Sequence, residues 1–331
     1  MVDVAGERMG DLVVFLEEGT AAAGVDATPG ATVDARATVE AGITGAAGDT
    51  GSPTHRRRAV PLAEAQINVA DLALTRGDGI FESIGVIDGR FIELDRHLAR
   101  LEHSAALLDL PRPDAAAFAA AARRGVEAHT REPELLVKLF YSRGIEGADT
   151  PSGWIEVLTG DDHRAARSTG IRVVTLDRGY RHDIAQTAPW LLQGAKTLSY
   201  ALNKAALREA ARRGADDVIF VSTDDVVLEG PTSNVLLRHG DLFRTPRTDL
   251  GILAGTTQAA VFETLAARGF ETLEAALSVA DLVSADAVWL LSSGRLVAPV
   301  RELDGQSIPV DRELTGSLLA ETFGVPPVPL P

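Results

Sequence analysis

The sequence predicts an α/β (α+β) fold in two domains, and three observations carry that expectation. Short strand-like runs alternate with longer amphipathic helical patterns along most of the chain. The 331 residues, 45% of them hydrophobic, suffice for two cores of ordinary size. A polar stretch at 161–170 separates one alternating run from the next and is the expected linker.

The elements follow in order. Residues 1–17 hold a strand at Leu12–Phe15. Residues 18–58 are rich in Ala, Gly, Thr and Pro and almost lack large apolar side chains. Such a segment cannot bury enough surface to offset its ordering entropy, so a disordered insertion is expected. The basic cluster His55–Arg58 reads as a solvated turn at its end.

Residues 59–160 form the expected first domain. Gly77-Asp78-Gly79 signals a turn. Phe81–Ile87 alternates as a strand, and Asp88-Gly89 turns it into a second run, Phe91–Leu94. Asp95 suits the N-cap of a helix reaching Leu108, with Leu98, Leu101, Ala105 and Leu108 as its apolar stripe and Pro111 beyond its end. An Ala-rich helix spans about Asp114–His129. Leu135–Tyr141 and Trp154–Thr159 read as strands.

Residues 171–331 form the expected second domain, opened by a strand at Ile171–Leu176. Lys196 is placed at the end of a strand, before a helix from Tyr200 to Arg213 that Gly214 closes. Asp217–Val221 and Val226–Glu229 read as a hairpin, and Asn234–Arg238 with Leu242–Arg244 as another. Thr256–Arg268 is a helix, and Ala287–Leu291 a late strand before Ser292-Ser293-Gly294.

Composition excludes several classes of function. Net charge is -15 and the pI is near 4.9, so neither nucleic acid nor an anionic membrane is an expected partner. There is no cysteine, hence no disulfide framework and no thiolate metal site, and no metal is expected. No apolar run approaches the roughly 18 residues of a membrane helix. A cytoplasmic protein acting on a small molecule is expected.

Three features carry pointed chemistry. Lys196, in LLQGAKTLSY, follows an apolar run. A lysine held against apolar walls loses proton affinity and can attack a carbonyl as a free amine. Residue type alone leaves it open as a surface charge. Glu229, in LEGPTSN, is a carboxylate at a strand end. Gly255-Thr256-Thr257 opens a helix, where unpaired amides and two hydroxyls suit a phosphate, although threonine is also an ordinary cap.

The ordered motifs TRGDGIFESIGVIDGRFIELDRHLARLEHSAALLDL, GAKTLSYALNKAALREAARRGADDVIFVS, VVLEGPTSNVLL, ILAGTTQAAVFETLAARG and LLSSGRLVAPVRELDG together resemble the class IV, or fold-type IV, pyridoxal-phosphate enzymes. That family includes branched-chain aminotransferases, D-amino acid aminotransferases and 4-amino-4-deoxychorismate lyase. The likeness runs from about residue 60 to about 310 and is greatest to the lyase-type branch.

The resemblance implies pyridoxal 5'-phosphate in the cleft between two domains, and a homodimer that completes the site. It implies that Lys196 binds the cofactor and shuttles protons. It places Glu229 at the ring nitrogen, and Thr256, Thr257, Ser293 and Arg100 at the phosphate. Arg100 lies one turn from His97 and His103. Tyr200 stands one position before a tyrosine that meets the ring hydroxyl in branched-chain members, so a core role is equally open. Phe81 occupies a place where D-amino acid aminotransferases carry tyrosine and lyases carry phenylalanine; the neighbouring Glu82 is like the aminotransferases. Asn234 is expected to shape its turn. Arg143, Arg295 and the segment Tyr180–His182 are candidate substrate contacts.

The expected activity is conversion of 4-amino-4-deoxychorismate to 4-aminobenzoate and pyruvate. A transaminase of D- or branched-chain amino acids is the alternative, and one protein can be both. A cofactor-binding protein without turnover is a third reading.

Overall fold

A computed structural model describes residues 9–16 and 59–326. The expected insertion at 18–58 lies outside the described residues, as does its basic cluster.

The first part of the chain builds a six-stranded antiparallel sheet with two long helices. Its strands are β1 (Leu12–Phe15), β2 (Ala59–Pro61), β3 (Gly79–Ile87), β4 (Arg90–Phe91), β5 (Glu134–Ser142) and β6 (Ser152–Thr159). They lie in the order β2-β1-β6-β5-β3-β4. A short helix, α1 (Leu72–Arg76), precedes β3, and α2 (Leu94–Leu107) and α3 (Ala115–Ala128) follow β4. Strict alternation on β5 and β6 buries Val137, Leu139, Ile155 and Val157 on one face. The apolar stripes of α2 and α3 cover that face with Leu101, Ala105, Phe118 and Ala121. Each large side chain so buried contributes about 1.5–3 kcal/mol.

The second part builds a mixed sheet around buried strands. A short helix, α4 (Arg164–Ser168), lies in the expected linker, followed by β7 (Ile171–Asp177), α5 (Ile184–Thr187), α6 (Ala201–Arg212) and β8 (Asp217–Val221). Then come β9 (Asn234–His239), β10 (Leu242–Pro246), α7 (Thr256–Ala267), β11 (Glu271–Ala275), α8 (Val279–Val283), β12 (Ala287–Ser292), β13 (Leu296–Leu303), β14 (Gln306–Ser307) and α9 (Arg312–Phe323). The order is β11-β10-β9-β12-β13-β7-β8, with β14 on β13. Helices α7 and α9 pack one face around the buried Trp289, whose indole N–H donates to Thr315 Oγ1 at 2.8 Å. Ile87 and Ile92 join that same cluster, so the two sheets share apolar contact. Among the described residues, no helix is long and apolar enough to cross a membrane.

Four local expectations change. The expected strand Phe91–Leu94 shrinks to β4, and α2 starts at Leu94. Glu93 is its N-cap with φ 54, and Asp95 sits in its first turn, where a carboxylate still suits the helix dipole. Val226–Glu229 is not a full strand: Val226 and Val227 form isolated bridges, because Val227 must also pair with Leu277. Lys196 does not end a strand of the second sheet. It lies in an extended segment that bridges β3 of the first sheet through Ile80 and Thr197. The helix after it begins at Ala201, with Tyr200 as N-cap.

Candidate active site

The lysine segment is stitched to the first sheet by its backbone. Phe81 N–H donates to the Lys196 carbonyl at 3.0 Å, and Leu198 N–H to the Gly79 carbonyl at 2.9 Å. A Cβ at Gly79 would lie 2.8 Å from both Leu198 Cδ1 and the Tyr141 carbonyl oxygen, so glycine permits the approach. The Lys196 N–H donates to Oγ of the fully buried Ser104 on α2, at 3.1 Å.

Lys196 Nζ sits 4.4 Å from the centroid of the Phe81 ring. Burial, aided by the charge of Arg100, pushes its ammonium down to about 8, against the pull of Glu82 and Glu229. Phe81 belongs to an aromatic wall. It stacks on Phe140 at 6.2 Å, Phe140 stacks on Trp154 at 5.0 Å, and Tyr200 meets Phe81 edge-on at 5.3 Å. The wall follows from register, since Phe81 pairs with Phe140 and Phe140 with Trp154 across the strands.

Glu229 occupies a second wall. Burial pushes its carboxyl up to about 7, although the Leu253 N–H donates to Oε2 at 3.0 Å and Lys196, Arg178 and Arg100 all draw it down. Its electrostatic neighbours are thus the candidate lysine and two arginines. Tyr200 uses its hydroxyl on the Pro231 carbonyl, which also accepts from Asn203 Nδ2 at 2.8 Å. Burial holds the Tyr200 phenol up at about 12.

The start of α7 forms a third wall. Thr256 and Thr257 are buried, and no side chain caps this helix end. A Cβ at Gly255 would lie 2.0 Å from Asn234 Oδ1, and Asn234 Nδ2 donates to the Leu253 carbonyl at 2.8 Å. Asn234 therefore fixes the loop leading into the helix.

Between these walls lies a buried polar cluster with Glu82 at its centre. Arg100 donates to it twice, Nε to Oε1 at 2.8 Å and Nη2 to Oε2 at 2.7 Å, and His97 Nδ1 lies 2.7 Å from Oε2. Burial would raise Glu82, but the charge and hydrogen bonds of Arg100 and the bond to His97 prevail and hold it at about 2. Burial pushes His97 down, which favours the neutral ring. A carboxylate only accepts, so Nδ1 carries the proton and Nε2 accepts. Thr256 Oγ1 lies 3.0 Å from that Nε2 and Ser293 Oγ 3.4 Å from it. Arg100 Nη1 also donates to the Ala254 carbonyl at 2.8 Å.

The structure thus groups Lys196, Phe81, Tyr200, Glu229, Arg100, Thr256, Thr257 and Ser293. Two candidates are committed elsewhere. Arg143 pairs with Asp78, Nε to Oδ2 at 2.7 Å, and donates to the Leu108 carbonyl at 2.8 Å. Arg295 is paired with the buried Asp217. Each thus has a carboxylate partner of its own. Of the segment Tyr180–His182, Tyr180 bonds Gln193 and His182 bonds Asp224. Sequence reasoning missed His97 and Ser104 as parts of the site. The spacing of His97 and Arg100 by three on one helix was the available signal for the first; nothing marked Ser104.

The family model described as amino-transferase class IV matches residues 79–303. The chain belongs to the class IV aminotransferase family. Among its class IV relatives is the bifunctional aminodeoxychorismate lyase / D-amino acid transaminase of Mycobacterium tuberculosis, 45% identical over 257 residues, which are 73% of this chain and 88% of the relative. A fold IV-transaminase from Curtobacterium pusillum is 55% identical in structure-based alignment, with a TM-score of 0.78 over 80% of this chain and 90% of that one. The PLP-bound form of a hypothetical aminotransferase from Mycobacterium tuberculosis is 41% identical, with a TM-score of 0.76 over 80% and 95% of the two chains. This class IV chain is a pyridoxal-phosphate-dependent enzyme of the two-domain fold-type IV architecture.

The donor set fits that cofactor. The uncapped start of α7 with two buried hydroxyls fits a phosphate. A buried carboxyl raised to about 7 fits a basic ring nitrogen, and an amine lowered to about 8 fits an aldehyde.

Proposed function

We propose that this enzyme cleaves 4-amino-4-deoxychorismate to 4-aminobenzoate and pyruvate, and that it transaminates D-amino acids at the same site. The observation that carries the reading is the aromatic wall beside Lys196. The row Phe81, Phe140 and Trp154, with the Phe81 ring under Lys196 Nζ, gives this side of the site an aromatic rather than aliphatic lining, which suits a planar six-membered ring better than a branched aliphatic chain. The likeness to a bifunctional lyase and D-amino acid transaminase supports the pairing of activities.

When bound, pyridoxal phosphate supplies a conjugated ring that draws electrons from the carbon bearing the substrate amine. Thr256, Thr257, Ser293 and the α7 amides would hold its phosphate. His97 holds the Thr256 and Ser293 hydroxyls in place, and Arg100 holds the Ala254 carbonyl at the entry to α7, with Glu82 keeping the cluster close to neutral. Glu229 holds a proton at the ring nitrogen. Lys196 Nζ takes the proton from the amine-bearing carbon, the bond to the enolpyruvyl oxygen breaks, and Lys196 returns a proton to the departing group as pyruvate. The six-membered ring left behind is aromatic, which draws the step forward.

The fold is read as a first domain at 59–160, a linker at 161–170 and a second domain at 171–331, working as a cytoplasmic homodimer. The deciding experiment assays purified enzyme in parallel with 4-amino-4-deoxychorismate and with D- and branched-chain amino acids plus keto acids. Release of 4-aminobenzoate and pyruvate is expected. Transamination with no 4-aminobenzoate would overturn the lyase assignment.

A further inference from the structure

Arg178 follows the last residue of β7 and, beyond its pull on Glu229, has been given no role. Its backbone continues the pairing with β8, donating to the Val221 carbonyl at 2.8 Å. Its guanidinium lies 4.6 Å from the Phe220 ring centroid and 5.5 Å from that of Tyr180. Its Nε donates to the Tyr180 hydroxyl at 3.1 Å, and that hydroxyl donates to Gln193 Oε1 at 2.6 Å. Among the described residues, no carboxylate lies within ion-pair distance of it.

Both ends of this arrangement reach the site. Phe220 is the backbone partner of the Glu229 segment: its N–H donates to the Glu229 carbonyl at 2.8 Å, and its carbonyl accepts from Leu228 at 2.9 Å. Gln193 lies three residues before Lys196 in the segment docked on β3. A half-buried cation is thus held by two aromatic faces beside the strand to which the Glu229 segment is hydrogen-bonded. A surface arginine with a water-facing head needs no such seat.

We propose that Arg178 is a positioning residue for the ring-nitrogen contact: from its seat between Phe220 and Tyr180, its unshared charge keeps the proton between Glu229 and the cofactor ring on the ring side. This rests on Glu229 being the ring-nitrogen partner, as read above. The groups acting on Glu229 are few. Lys196 and Arg100 oppose its burial along with Arg178, while Tyr180 and Tyr200 stay neutral because burial raises both phenols. Glu82 already offsets Arg100, and Lys196 is the amine that would meet the aldehyde. Arg178 is the guanidinium that stays charged at any working pH and has no carboxylate partner among the described residues.

The test is the nitrogen NMR signal of pyridoxal phosphate labelled with 15N at the ring, bound to the full-length enzyme at neutral pH. Wild-type protein should show a protonated ring nitrogen, and Glu229→Gln an unprotonated one. Arg178→Met should move the signal about half of that distance or more, because loss of a nearby cation favours the neutral carboxyl. Arg178→Lys should return it towards wild type. If Glu229→Gln leaves the signal unmoved, the reading of Glu229 fails and takes this inference with it. If Glu229→Gln moves the signal and Arg178→Met does not, the inference alone fails. If Arg178→Lys matches Arg178→Met and both melt well below wild type, the side chain is a packing strut and its charge is not what acts.

Discussion

Two ionisable groups of opposite type meet here with their proton affinities drawn together, Lys196 lowered to about 8 and Glu229 raised to about 7. Structural ion pairs usually do the reverse, each partner deepening the charge of the other; here burial opposes both charges, which brings the two groups into the range that proton transfer needs. Its sign gives a kinetic expectation. Only the neutral amine attacks an aldehyde. The rate at which the apoprotein takes up pyridoxal phosphate should therefore rise with pH up to about 8 and level off above it, as followed by stopped-flow absorbance. An ordinary lysine, at 10.5, would keep the rate rising through that range. Glu229→Gln should retain the cofactor but slow turnover on the order of hundredfold, since one well-placed charge is worth several kcal/mol in a transition state. Parallel steady-state assays check it, and wild-type rates in the variant would remove Glu229 from the ring nitrogen. At this scale the sequence was legible where a residue sits in a motif. The motifs singled out Lys196, Glu229 and the two threonines. Ser104 and Arg178 were not legible, because each acts through contacts 92 residues away or across a strand pair. The carboxylate partners of Arg143 and Arg295 were not legible either, because Asp78 and Asp217 lie 65 and 78 residues away in the sequence.

At the scale of elements, the helix start at Thr256 depends on a single missing methyl. Alanine at position 255 would drive its Cβ into Asn234 Oδ1. Either Asn234 gives up the Leu253 carbonyl or the first turn of α7 shifts. Gly255→Ala is expected to weaken cofactor binding about tenfold or more, a cost of 1.4 kcal/mol or above, read by equilibrium titration. The double variant Gly255→Ala with Asn234→Ala should recover part of the loss. Periodicity found α2, α3, α7, β5 and β6 to within a few residues, because each shows one apolar face to a core. It missed β13 and β11. β13 is buried on both faces and carries Pro299, so it shows no alternation, and β11 is an exposed edge strand with three charged or polar residues. The strand expected before Leu94 failed because its end had to bend through a left-handed residue to launch α2.

At the scale of the molecule, one buried arginine ties the two sheets. Arg167 on α4 donates to both oxygens of Glu134 on β5, at 2.6 and 2.7 Å, and to the carbonyls of Gly294 and Arg295 at 2.9 and 3.0 Å. Arg167→Met should cost about 2–3 kcal/mol, less than a fully buried pair because Glu134 is partly exposed, and should lower the melting temperature by roughly 3–5 °C in calorimetry. A second expectation concerns chain length. Val14 pairs with Ala59, so the chain enters and leaves residues 17–58 at neighbouring points of one antiparallel ladder. Replacing 18–57 by a short hairpin turn should leave the melting temperature within a few degrees and activity near wild type. A large loss would show that those residues contribute to the fold.

The lysine is hydrogen-bonded to the first sheet, whereas Glu229 and the α7 start belong to the second. A ligand gripping all three has no binding site on either half alone. Its occupancy is then thermodynamically linked to their docking. By mass action, a cofactor present at a hundred times its dissociation constant adds about 2.7 kcal/mol to the docked state. Pyridoxal phosphate would serve this chain as mortar as well as reagent, and its removal would loosen the seam between the two sheets by that amount.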